Sequence, residues 1–111
     1  MAKIAVVEDN AAVRQELCGF IAQYAQESGQ LLEVTPFADG SQIVEPYRPG
    51  FDIIFLDIEM PTLGGMPTAE RIRLLDPDVV LIFVTNMAQY AIRGYEVDAL
   101  DFVLKPVSYY Q

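Results

Sequence analysis

The chain has 111 residues, the size of one domain, and at that size folding buries roughly 65% of the extended-chain surface, enough for a core without staples. It is 52% hydrophobic and 21% charged, which excludes a disordered segment, and a net charge of −9 (7 basic, 16 acidic residues) argues against direct nucleic-acid binding. The absence of histidine excludes histidine general bases, serine–histidine triads and histidine metal sites, and the one cysteine, Cys18, makes neither an internal disulfide nor a cysteine metal motif. That cysteine usage fits a reducing compartment. No apolar run approaches a membrane span, and Met1-Ala2-Lys3 lacks a signal-peptide block, so a cytoplasmic domain without a membrane partner is expected.

Ile4 to Val7 is a short apolar run closed by Glu8-Asp9, a first strand ending in acids. Asn10 can cap the helix after it. From Ala11 to Glu27, Val13, Leu17, Phe20, Ile21 and Tyr24 recur at spacings of three and four, which predicts an amphipathic helix ended by Ser28-Gly29. Cys18 lies beside that stripe and reads as a half-buried small apolar residue. Leu31 to Phe37 is a second strand, Asp39-Gly40-Ser41 a turn, and Gln42 to Tyr47 at most a short helix bounded by Pro46 and Pro49.

Ile53 to Leu56 is an unbroken apolar run that ends in Asp57, the pattern of a strand buried on both faces of a parallel sheet. Met60 to Gly65 is a loop. Met66 to Leu75 is a helix with Pro67 in its first turn, where proline is tolerated. Val79 to Val84 is the strongest strand signal, closed by Thr85. Ala88 to Arg93 is a short helix, Ala99 to Leu104 a fifth strand ending at Lys105-Pro106, and Val107 to Gln111 the start of a final helix cut short.

Strict alternation of strand and helix predicts a doubly wound parallel sheet of the flavodoxin-like order 2-1-3-4-5. Its switch point falls between strands one and three, which end in Glu8-Asp9 and Asp57. Strand four ends in Thr85 and strand five in Lys105; strand two, at the edge, offers nothing comparable. Asp39, Asp76, Asp98 and Asp101 read as turn or surface residues. Carboxylates converging about 4 Å apart cost about 4 kcal/mol per pair at an effective dielectric near 20. A hard, oxygen-only set without histidine or cysteine favours Mg²⁺ (or Mn²⁺) as the offsetting cation. A hydroxyl, an ammonium and a divalent cation around one nucleophilic carboxylate suit phosphoryl transfer.

With these pieces in order, the chain resembles the receiver domain of two-component response regulators over residues 1–111. The resemblance rests on Val6-Val7-Glu8-Asp9-Asn10, Phe55 to Pro61, Phe83-Val84-Thr85 and Leu104-Lys105-Pro106. The stretch Tyr90 to Phe102 further resembles the subgroup with a LytTR-type DNA-binding output domain. The resemblance implies the CheY-like variant of the flavodoxin-like fold and a role for each site residue. Asp57 would accept a phosphoryl group from a sensor histidine kinase. Asp9, Asp57 and the Glu59 backbone carbonyl would ligate Mg²⁺, and Glu8 would act through water. Lys105 and Thr85 would hold phosphoryl oxygens, and Phe102 would turn inward as Thr85 moves. The side chains of Glu59 and Met87 would tune access of water to the acyl phosphate. Receivers end in a full fifth helix, so the parent protein is expected to continue into an output domain. An uncovered face near strands one and five is expected to favour a homodimer, through the helix 4–strand 5–helix 5 face or a swapped C-terminal element. Tyr90, Tyr95, Tyr109 and Tyr110 suit either scattered packing or that dimer face.

Three other functions compete. A haloacid-dehalogenase-like phosphatase also places an aspartate after an apolar strand, but needs a second Asp and a Thr where Leu56-Asp57-Ile58-Glu59-Met60-Pro61 has Glu59 and Pro61. A flavodoxin needs a hydroxyl-rich phosphate loop where this chain has Glu8-Asp9-Asn10. A receiver-like interaction module with a dead site is opposed by intact Asp9, Asp57, Thr85 and Lys105.

Overall fold

In a computed structural model, residues 1–85 are described in full and residues 101–104 by their backbone. The chain runs β1 (Ala2–Val7), α1 (Ala11–Ser28), β2 (Leu32–Phe37), α2 (Gly40–Val44), β3 (Ile53–Leu56), α3 (Gly65–Leu75), β4 (Val80–Thr85) and β5 (Asp101–Leu104). The strands form one parallel sheet in the order β2-β1-β3-β4-β5. This is the order expected from the alternation of strand and helix. The helix expected at 88–93 and the final helix lie outside the described residues.

Alternation along the strands divides the core between two layers. On one face, Ala5, Val7, Ile54, Leu56, Leu81 and Phe83 pack with Ile43 and Val44 of α2 and with Met66, Ala69 and Ile72 of α3. On the other, Val6 and Val84 pack with Leu17 of α1, flanked by Val13, Cys18 and Ile21. Cys18 is half-buried against this smaller cluster, as its place beside the apolar stripe predicts, and burial pushes its thiol up against the opposing pull of Arg14. Ile54 and Leu56 are fully buried, and burying such side chains contributes roughly 1.5–3 kcal/mol each, which fixes the strand that carries Asp57.

Caps set the helix ends. The Asn10 side chain accepts from the amides of Ala12 (3.0 Å) and Val13 (3.1 Å), and Gly29 closes α1 in the left-handed region. Pro36 sits inside β2, which is the edge strand, where a missing amide is tolerated.

Several boundaries differ from expectation for local reasons. β1 reaches back to Ala2 because it pairs with β2 as far as Leu32. β4 includes Thr85 because its backbone pairs with Leu104 of β5. The larger difference is at Asp39-Gly40-Ser41. The expected turn is the start of a helix: Asp39 caps α2, and Gly40 and Ser41 lie within it.

Candidate functional site

The sheet register lines up the carboxyl ends of the strands. Val7 pairs with Leu56, so Glu8 and Asp57 come next at one level on neighbouring strands, on the two sides of the switch point. Leu56 pairs with Phe83, which puts Thr85 one residue beyond the level of Asp57. Glu8 is 1% exposed and Asp57 6%, while Asp9 faces solvent. One carboxylate oxygen from each of Glu8, Asp9 and Asp57 lies within 4.8 Å of the others.

Backbone contacts hold these acids in place. The Glu8 amide donates to the Phe37 carbonyl (3.0 Å) and the Asp57 amide to the Val7 carbonyl (3.0 Å). The Asn10 amide donates to Glu8 Oε2 at 3.2 Å, and the Ile58 amide to Asp57 Oδ1 at 2.7 Å. Arg14, one turn into α1, donates through one guanidinium nitrogen to the Glu8 carbonyl (2.8 Å) and the Asp9 carbonyl (3.5 Å). The β1–α1 loop is thus clasped by the helix it leads into.

The carboxylate set suits a small hard cation. It is all oxygen, and two opposed ligands of an octahedral Mg²⁺ stand roughly 4.2 Å apart, close to the spread of this cluster. The Glu59 position comes after Ile58, whose carbonyl accepts from the Gly65 amide (2.8 Å). A Cβ on Gly65 would fall on the Asp57 carbonyl, so only glycine lets α3 start this close to the acidic residue.

Thr85 is fully buried at the end of β4, beside Leu104 of β5. Lys105 is the next residue in the chain and lies outside the described residues, as do Met87, Pro106 and the four C-terminal tyrosines. The backbone of Phe102 pairs with Phe83 in the sheet. Its side chain is outside the described set. The acidic group of the expected site is therefore assembled, Thr85 stands near it in register, and Lys105 is approached only through its neighbour in β5.

One prediction about acids needs correction: Asp39, just beyond strand two, is no surface turn residue. It is 7% exposed, and its carboxylate accepts from the amides of Ser41 (2.9 Å), Thr62 (2.9 Å) and Leu63 (3.0 Å) and from Ser41 Oγ (2.8 Å). Burial pushes this carboxyl up, but the donors from Thr62, Ser41 and Leu63 outweigh it and hold the group below its usual range. The sequence signal was the Asp-Gly-Ser cap pattern, which serves equally for a turn and a helix start. Asp76 does end α3, and it also accepts from the Tyr47 hydroxyl at 2.7 Å.

Among the described residues, no helix is long and apolar enough to cross a membrane. Residues 4–111 match the response regulator receiver domain. The sensory transduction protein LytT of Oceanobacillus iheyensis is 32% identical over 110 residues, covering 95% of this chain and 42% of that protein. The transcriptional regulatory protein BtsR of Escherichia coli is 33% identical over 110 residues, covering 96% and 43%. The chain spans less than half the length of these curated relatives. Among solved structures, the response regulatory domain of protein mrkE from Klebsiella pneumoniae superposes with a TM-score of 0.85 at 29% identity, covering 97% of this chain and 86% of that one. The response regulator TrrA of Thermotoga maritima, in complex with Mg²⁺–BeF, gives 0.79 at 28% identity, covering 98% and 90%. These matches set aside the phosphatase and flavodoxin readings. Sheet order, acidic cluster and a match over nearly the whole sequence agree: the chain belongs to the response regulator receiver domain family.

Proposed function

We propose that the chain is a phosphorylation-dependent signalling switch in which Asp57 is the phosphoacceptor. The observation that carries this reading is the position of Asp57. It lies nearly buried at the end of a rigid central strand, with an oxygen within 4.8 Å of ligand oxygens from Glu8 and Asp9. An Asp57 oxygen attacks phosphorus of a phosphohistidine on a sensor histidine kinase. The new P–O bond forms as the P–N bond breaks, and the imidazole departs with a proton from solvent. Hydrolysis of the acyl phosphate later returns the carboxylate, so the chain transfers a phosphoryl group to itself and releases it without turning over a separate substrate.

A Mg²⁺ held by Asp9, Asp57 and the Glu59 carbonyl, with Glu8 acting through water, supplies positive charge against the carboxylates and the phosphoryl oxygens. Mn²⁺ satisfies the same oxygen set. Lys105 pairs with one phosphoryl oxygen and Thr85 hydrogen-bonds another. Thr85 is fully enclosed, so its movement toward the site must displace neighbours. Phe102 is the proposed follower of that movement.

The relatives named for sensory transduction and transcriptional regulation support a place in gene control. The stretch Tyr90 to Phe102 and these relatives support control of a LytTR-type DNA-binding output domain, and with a net charge of −9 the receiver is itself poorly suited to DNA. Pairing of two copies through the region of β5 and the segment after it is a further element of this reading.

The test is intact-mass measurement after incubation with acetyl phosphate and Mg²⁺. One added phosphoryl group is expected, lost in Asp57→Asn and in EDTA, and restored by Mn²⁺. No adduct from any small phosphodonor or kinase would overturn the proposal.

A further inference from the structure

The segment Glu59-Met60-Pro61 has no regular structure, yet it must present the Glu59 carbonyl to the cation site. It is held at both ends. Before it, the Ile58 carbonyl accepts from the Gly65 amide at 2.8 Å, and the Ile58 amide donates to Asp57 Oδ1 at 2.7 Å. After it, the Thr62 and Leu63 amides donate to the two oxygens of Asp39, 2.9 and 3.0 Å away. The Leu63 carbonyl is held from the same side, accepting from the Gly40 amide at 3.2 Å. Asp39 comes from the far side of β1, at the end of the edge strand, and is itself buried. The anchor is therefore a separate element of the fold, set by the β2–α2 junction. Pro61, with its fixed φ, transmits the position of Thr62 back toward Glu59 over a short span.

We infer that Asp39 is a positioning residue for the cation site: it acts through the Thr62 and Leu63 amides to place the Glu59 carbonyl. The inference rests on the proposed function, in which that carbonyl is a ligand. Outer partners that orient a ligand typically change metal affinity 10- to 100-fold when removed, and one end of the segment stays tied here, so the lower end of that range applies.

The test is titration of the full chain with Mg²⁺ alone by calorimetry, together with phosphorylation by acetyl phosphate across a Mg²⁺ series. Asp39→Ala is expected to bind Mg²⁺ on the order of tenfold more weakly. Half-saturation of the phosphorylation rate should shift by the same factor, with the rate at saturating Mg²⁺ close to native. Asp39→Asn keeps one acceptor oxygen and should fall between; it also decides the matter should Asp39→Ala fail to fold. Tyr47→Phe, which removes a hydrogen bond away from the loop, should leave Mg²⁺ affinity unchanged. Native-like affinity in the folded Asp39 variants overturns the inference, as does equal weakening in Tyr47→Phe. A native chain that binds no Mg²⁺ overturns the site reading and this inference together, whereas native binding with no Asp39 effect overturns this inference alone.

Discussion

Removing the charge of Asp57 should make the protein more stable in the absence of metal. At the 4.8 Å spread of the cluster, each pair of carboxylates costs about 3.5 kcal/mol at an effective dielectric near 20. Asp9 is exposed, so screening reduces its share to about 1 kcal/mol or less. The pair of Glu8 and Asp57 is buried at both ends and dominates. Asp57→Asn keeps the side-chain shape and an oxygen for the Ile58 amide, but weakens that bond by removing its charge. Both acids make further contacts that offset part of the repulsion, so the net gain is about 1–3 kcal/mol, or a Tm rise of roughly 4 °C per kcal/mol for a domain of this size. Thermal unfolding monitored by circular dichroism in EDTA measures it. Excess Mg²⁺ should raise the native Tm more than the variant's, because ligand at 100 times Kd contributes about 2.7 kcal/mol to the form that binds it. Asp57→Asn less stable than native in EDTA would refute the claim that the cluster is held against its own repulsion.

Two further predictions concern the loop between β3 and α3. Gly65→Ala puts a methyl group on the Asp57 carbonyl, and urea unfolding should show a loss of about 1–3 kcal/mol together with slower phosphorylation; an unchanged midpoint would contradict the close packing described. The Asp39 carboxyl is held below its usual range, so its contribution to stability is fully present above about pH 4, the unfolded value, and fades as pH falls through the folded value. The stability gap between native and Asp39→Asn, taken from urea midpoints, should therefore be constant near neutrality and close in acid. A gap that widens in acid would mean that the carboxylate form is not the stabilising one.

Much of the fold and site was legible because the sequence states it locally. Ile53 to Leu56 and Val79 to Val84 are apolar on both faces, which only the interior of a parallel sheet requires, and Asp57 and Thr85 at their ends mark its carboxyl edge. Alternation of strand and helix then put Glu8, Asp9 and Asp57 at one switch point, where the structure brings them together. The part that was not legible is tertiary. Asp39 looks like any turn aspartate because its decisive partners, Thr62 and Leu63, lie 23 and 24 residues away in sequence. No periodicity encodes the meeting of an edge-strand cap with a loop two strands across. Arg14 was missed for a related reason: nothing on a helix face announces that a guanidinium folds back onto the carbonyls before the cap. Gly65 read as a loop glycine, and its need for close approach to Asp57 depends on where α3 starts.

The central claim is that Asp57, among three neighbouring acids, carries the phosphoryl group. Borohydride reduction of the acetyl phosphate-treated protein converts an aspartyl phosphate to homoserine, and peptide mapping locates it. Homoserine at position 57 alone is predicted; modification at Glu8 or Asp9, or none in protein that had gained a phosphoryl group, would contradict it.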